Sequence, residues 1–226
     1  MATSDEKGSA DLTAARERMI ARDIAGRGVC DGRVLAAMRK VAREAFVPES
    51  LREFAYDDTP LPIGSGQTIS QPYVVAFMIE ALQLDGGEKV LEIGTGSGYA
   101  AAVLAEIAGE VTTVERLHPL ADRAADIFTE LGYRHIHVQR GDGTLGWPAH
   151  APYDAIVVTA GGPQVPDALK QQLAIGGRLV IPIGAGQETQ ELMRVTRRSA
   201  TEFDAEEIGG VRFVPLIGEQ GWPAAS

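Results

Sequence analysis

The chain has one cysteine, Cys30, in 226 residues, so it can form neither an internal disulfide nor a cysteine-based zinc site. Four histidines, His118, His135, His137 and His150, show no spacing that resembles a metal site, and we expect no metal. Basic residues are outnumbered, 21 Lys and Arg against 31 Asp and Glu, and a net charge of −10 excludes a protein that coats nucleic acid. No apolar run approaches the roughly 18 residues that span a bilayer, and the opening Met1-Ala2-Thr3-Ser4-Asp5-Glu6-Lys7 is not an apolar leader. We therefore expect a cytoplasmic protein with no membrane partner. Neither a Ser-His-Asp order nor a nucleophile elbow is found. Cys30, without a charged partner in its helix-start context, reads as a small packing residue in preference to a reactive thiol.

What remains is an ordinary globular composition, 45% hydrophobic and 23% charged, with 26 glycines. The length fits a single domain over residues 12–218, with a mobile tail at 1–11 and a short tail at 219–226. Within the domain, apolar residues at near-helical spacing predict short helices over 12–24 and 34–41, the second capped by Asp31. Residues 46–68 are rich in Pro, Gly and Asp and read as an irregular functional loop. From 71 onward, strands over 89–93, 110–115, 135–139, 153–160 and 178–183 alternate with helices over 72–84, 99–108, 120–131 and 166–173. Such alternation predicts an α/β fold, a doubly wound, mostly parallel sheet with helices on both faces. Two further β-like runs, 191–197 and 211–217, have no long helix between them and predict an antiparallel C-terminal edge.

The chemistry concentrates where the first strand ends. Glu92-Ile93-Gly94-Thr95-Gly96-Ser97-Gly98-Tyr99 places glycines at the carboxyl edge of the sheet, where backbone can approach a ligand closely. A dinucleotide fingerprint needs Gly or Ala where Tyr99 stands, so the spacing favours a nucleoside without a pyrophosphate. Glu115 ends the second strand 21 residues after Gly94, close to the separation at which a carboxylate grips ribose hydroxyls. Asp142, in Gly141-Asp142-Gly143 after the third strand, lies at the same edge and can accept from an adenine amino group. Each has a plainer alternative: a tight turn, a solvated strand end, an ordinary Asp-Gly turn.

Taken together, the G-x-G-x-G run, Glu115 and Asp142 resemble the S-adenosylmethionine-dependent methyltransferases of Rossmann-like, doubly wound type. Pro62-Ile63-Gly64-Ser65-Gly66-Gln67-Thr68-Ile69-Ser70-Gln71-Pro72-Tyr73 narrows the likeness to the protein-L-isoaspartate O-methyltransferases, which act on age-damaged aspartyl and asparaginyl sites. Gly141-Asp142-Gly143-Thr144, Gly176-Gly177-Arg178-Leu179 and Val211-Arg212-Phe213-Val214-Pro215-Leu216 match the same family, so the resemblance runs from about Cys30 to Gly218. Two departures stand out: Ala42-Arg43-Glu44 where the family usually has Pro-Arg-His, and Gly161-Gly162 where alanines are common.

The resemblance implies a protein carboxyl methyltransferase acting as a monomer on proteins or peptides with L-isoaspartyl residues, with S-adenosylmethionine as cofactor and S-adenosylhomocysteine as product. It makes Ser70 the catalytic residue. It gives the cofactor to Glu92, Gly94, Thr95, Gly96, Ser97 and Gly98, with Glu115, Arg116, Gly141, Asp142 and Gly143. The substrate falls to Ile63, Gly64, Gly66, Gln67, Thr68 and Ile69 on one side and to Val211, Phe213, Val214, Pro215 and Leu216 on the other. Ser70, followed by Gln71-Pro72, is also a good helix N-cap, and both roles are open to it. Two rival functions share these motifs: a methyltransferase for aspartate side chains of a dedicated peptide in natural-product maturation, and a non-catalytic module that recognises damaged segments.

Overall fold

The computed structural model describes residues 4–186 and 189–224, and of residues 4–10 the backbone alone. Helix α1 (Ser4–Arg18) begins inside the segment expected to be a tail, of which residues 1–3 lie outside the described residues. It continues as a π-helical turn, Met19–Ile24, and a 3-10 turn, Ala25–Arg27. The wider turn brings Met19, Ile20 and Ile24 inward together, which an ordinary helix does less well for residues five apart. Helix α2 (Gly32–Lys40) is capped as expected: the Asp31 carboxylate accepts from the Arg33 and Val34 amides at 2.7 and 3.2 Å. Cys30 is exposed, not packed, because it stands just ahead of that cap with its amide donating 2.7 Å to Glu80.

The loop expected over 46–68 has more order than its composition suggests. Two 3-10 turns, Arg43–Phe46 and Glu49–Phe54, lead to a hairpin of β1 (Leu61–Gly64) and β2 (Gln67–Ile69). Ser65 and Gly66 at its tip have φ of 53° and 68°, the paired positive values of a tight hairpin turn. Helix α3 (Pro72–Ala81) follows.

The alternating units are β3 (Lys89–Ile93), α4 (Tyr99–Ala105), β4 (Glu110–Glu115), α5 (His118–Glu130), β5 (Ile136–Arg140), β6 (Tyr153–Val158), α6 (Asp167–Gln172) and β7 (Leu173–Ile183). Strand β8 (Gln190–Arg197) and strand β9 (Phe203–Val211) complete one seven-stranded sheet in the order β5-β4-β3-β6-β7-β8-β9. The pairs from β5 to β7 are parallel and the last two antiparallel. Successive residues of a strand face opposite ways, and the core divides accordingly. Val90, Ala155, Val157 and Val180 join α3, α4 and α5 in one cluster, whereas Leu91, Ile156, Val158 and Leu179 join α6 in the other.

Several boundaries differ from expectation, and two of the differences reshape the far half of the sheet. Strand β7 starts at Leu173, not 178, because Gly176-Gly177 forms an irregular entry into the strand instead of a turn before it. The edge strand is β9, not 211–217: an edge has one neighbour and one wet side, so an acidic, glycine-containing stretch can serve. Residues 211–217 cross the end of the sheet instead, bridged to Gly161 at Pro215. The presumed C-terminal tail also folds back, with a bridge between Ile217 and Trp222 and an indole N–H bond to the Gly161 carbonyl at 3.0 Å. Among the described residues no helix is long and apolar enough to cross a membrane.

Candidate active site

Strand β3 has β4 on one side and β6 on the other, so the chain reverses its direction of winding there and leaves a crevice at the carboxyl end. An open cavity with about 820 Å³ of empty space fills that crevice. Of the residues expected to hold a cofactor, Glu92, Gly94, Thr95, Gly96, Ser97, Glu115, Arg116 and Gly143 line it. Gly98 does not: a β-carbon there would lie 2.7 Å from the Phe128 ring, so this glycine lets α5 close against the start of α4. Gly141 and Asp142 also stand outside the lining. The Asp142 carboxylate already accepts from the Thr144 amide (2.9 Å) and hydroxyl (2.7 Å) and from the Glu219 amide (2.7 Å). It therefore ties the C-terminal segment to the rim of the site.

Glu115 is 7% exposed, and its two oxygens accept from the Gly96 amide at 3.0 Å and the Leu117 amide at 2.9 Å. Each oxygen keeps a second lone pair toward the cavity. Glu92 is 1% exposed, and its Oε2 accepts from the Thr113 hydroxyl at 2.5 Å, while Thr113 Oγ1 stands 2.6 Å from Thr95 Oγ1. Its Oε1 is buried with no partner among the described residues. Burial pushes the Glu92 carboxyl up to about 8; the Thr113 hydrogen bond opposes this and the nearby Glu115 charge adds to it.

Gln67, Thr68, Ile69 and Ser70 also line the same cavity, as do Val214, Pro215 and Leu216. Ile63, Gly64 and Gly66, also expected at the substrate, belong to the same hairpin but are not among the lining residues. A second, larger groove continues outward past Ser70, Val214 and Pro215, and Val211 and Phe213 belong to it. The two spaces share Thr68, Ser70, Thr159, Val214 and Pro215, so Ser70 stands at their junction.

Ser70 does not cap α3. Its hydroxyl makes no hydrogen bond among the described residues, and Gln71 holds the N-cap position without a side-chain cap. The cap comes from far along the chain: Asp58 Oδ1 accepts from the Tyr73 amide at 3.0 Å, and its Oδ2 accepts from Gln71 Nε2 at 2.7 Å. Arg43, fully buried, holds Ser70 from the other side, with Nη2 2.9 Å from the Ser70 carbonyl and Nε 2.8 Å from the Ala55 carbonyl. Burial lowers its guanidinium to about 10, which still leaves it charged. Gln190 is the third positioning residue missed in the sequence. Its buried amide donates to the Phe213 carbonyl at 3.1 Å and accepts from the Phe213 amide at 2.8 Å, clamping residues 211–216. None of the three carried a local signal, Arg43 included, since it stands between Ala42 and Glu44 shortly after Arg39 and Lys40.

A family model described as Protein-L-isoaspartate(D-aspartate) O-methyltransferase matches residues 14–221. The chain belongs to this family. It is 64% identical over 215 residues to "Protein-L-isoaspartate O-methyltransferase 1" of Rhodopseudomonas palustris strain HaA2, covering 95% of this chain and 88% of the relative. It is 57% identical over 209 residues to the protein-L-isoaspartate O-methyltransferase of Brucella anthropi, covering 92% and 96%. A solved protein-L-isoaspartate O-methyltransferase superposes with a TM-score of 0.83 at 30% identity, over 91% of this chain and 67% of that one. A Plasmodium falciparum member, solved with S-adenosyl-L-homocysteine, superposes with a TM-score of 0.77 at 25% identity, over 91% and 98%.

The methyltransferase family uses S-adenosylmethionine, and the cavity suits such a cofactor: the orphaned Glu92 oxygen and the Glu115 carboxylate offer acceptors to a cationic amino acid and a ribose. The two departures from the family pattern have structural partners of their own. Glu44 accepts from the Tyr56 hydroxyl and pairs with Arg16 at 3.7 Å. At Gly161 a β-carbon would lie 2.4 Å from Gln190 Nε2, so glycine makes room for the clamp on Phe213.

Proposed function

We propose that this methyltransferase moves the methyl of S-adenosylmethionine to the α-carboxyl of L-isoaspartyl residues in damaged proteins or peptides, with Ser70 orienting the acceptor. The observation that carries the reading is a serine hydroxyl, free of capping duty, at the junction of an outer groove and the cavity lined by the glycine loop and Glu115. S-adenosylmethionine, when bound, supplies a methyl on a positively charged sulfur. An acceptor carboxylate with a pKa near 4 is already ionised at neutral pH, so no general base is required. The described residues lining both spaces include no histidine, in keeping with that economy.

The chain's own contribution is then positional. Glu115 and the glycine loop seat the nucleoside, Glu92 faces the amino-acid end, Ser70 fixes one acceptor oxygen, and the clamped backbone of 211–216 fixes the main chain of the substrate. Orientation and exclusion of water supply the rate enhancement. The same proposal takes the enzyme as a cytoplasmic monomer. In support, its one cysteine is exposed and unpaired, and its large exposed apolar side chains, Phe54, Leu131, Leu145 and Ile175, stand on separate parts of the chain.

Paired peptides test the reading. An isoaspartyl peptide should accept labelled methyl at least ~100-fold faster than its normal aspartyl isomer, because a displacement on the order of 1 Å costs about that factor. Both isomers present an ionised carboxylate, so reactivity alone does not discriminate. Equal methylation of the two would point to a peptide-maturation enzyme, and tight S-adenosylhomocysteine binding with no transfer to either would point to a binding module.

A further inference from the structure

The outer groove differs in charge from the rest of the molecule. The chain carries a net charge of −10, yet among the described residues no Asp or Glu lines this groove, and two arginines do. They are in different states. Arg27 is spent: its Nη1 lies 2.8 Å from Asp58 Oδ2 and its guanidinium sits 3.5 Å above the Tyr73 ring, which stacks in turn on Phe77 at 5.8 Å. That layer makes a flat floor with its charge already compensated. Arg212 is exposed and forms no ion pair among the described residues. It stands two residues before Val214, which borders both spaces, and two residues span at most about 7 Å of chain. One residue along an extended substrate covers about half that distance. A side chain one or two positions from the acceptor therefore comes within reach of Arg212.

We propose that Arg212 makes the enzyme prefer isoaspartyl sites with an acidic side chain next to the acceptor, an inference that rests on the methyl-transfer reading above. A cleft of one sign on an oppositely charged protein concentrates its complement, and a carboxylate leaving bulk water to meet an uncompensated guanidinium gains a directed pair. Arg27 cannot supply this preference while Asp58 holds it. Because the contact is exposed, the effect is modest and fades with salt.

The test uses the full chain and three isoaspartyl peptides that differ only in the residues flanking the acceptor, Glu, Gln or Lys. At low ionic strength KM should rise in that order, by about two- to fivefold at each step, and the spread should shrink in high salt. Arg212→Gln should collapse the spread and Arg212→Glu should reverse it, with S-adenosylhomocysteine affinity unchanged in both. A merely structural arginine could not reverse the order. Methylation of all three peptides with equal KM, or an order unchanged in Arg212→Glu, would overturn the specificity while leaving the activity in place. Failure to methylate any isoaspartyl peptide would overturn the activity and the specificity with it.

Discussion

Glu115 has a duty in the fold beside the ribose contact that the proposed function gives it. Its oxygens hold the amides of Gly96 and Leu117, so they shape the glycine loop before any ribose arrives. Glu115→Ala should weaken S-adenosylhomocysteine binding by about 1.5–3 kcal/mol and lower stability by about 1–3 kcal/mol, the cost of bonds to a charged group. Titration calorimetry and thermal melts on the same protein read the two effects, and an unchanged dissociation constant would leave Glu115 a purely structural carboxylate. Glu92 makes a different prediction, on pH. Its folded pKa is raised, to about 8, above the ordinary carboxyl value, so between the two the folded protein keeps a proton that the unfolded chain has lost. The stability from this group is complete below about 4.5 and is lost as pH rises to about 8, a decline on the order of a few kcal/mol. In Glu92→Gln, which cannot ionise, that part of the decline should vanish from melting curves recorded over the same range; an identical pH dependence would mean Glu92 is ionised throughout.

At the scale of elements, the start of α3 carries the main consequence. Serine followed by a proline two residues on is a good local cap signal, and a local rule assigns Ser70 that duty. Asp58 takes it instead, because the hairpin of β1 and β2 turns the chain so that a carboxylate 15 residues earlier meets the Tyr73 amide. Ser70 is thereby released toward the cavity. Ser70→Ala should depress methyl transfer while leaving the melting temperature and S-adenosylhomocysteine affinity nearly unchanged. Asp58→Ala should cost about 1 kcal/mol or more, since a cap, the Gln71 bond and the Arg27 pair go together. If Ser70→Ala lost stability at normal turnover, the capping and catalytic assignments would have to be exchanged.

For the molecule as a whole, the C-terminal segment is tied back to the turn that follows β5, beside the site. Glu219 binds Asp142, the Gln220 amide donates to the Thr144 hydroxyl at 3.1 Å, and the Trp222 amide donates to the Leu216 carbonyl at 2.7 Å. Ending the chain after Gly218 should therefore reduce S-adenosylhomocysteine affinity by several-fold and stability by about 1–3 kcal/mol; unaltered values in a fluorescence melt and titration would make the segment a passive tail. That fold-back was not legible in residues 219–222, whose partners are Asp142, Thr144 and Gly161, far away in the chain. By contrast, the sequence alone determined the alternating core, because β3 and β6 are short, mainly apolar runs interrupted only at Lys89, Glu92 and Asp154, and α2 and α5 repeat at helical spacing. It also determined the glycine loop and Glu115, since a nucleoside site needs those residue types at that spacing and the strand that carries them is local. Tertiary structure alone decided which hydroxyl was free, which carboxylate was already occupied and which strand formed the edge. The physical reason is one of range: period, capping and turn chemistry act over a few residues, whereas Asp58, Arg43, Gln190 and Asp142 have partners that only the closed sheet brings within hydrogen-bonding distance.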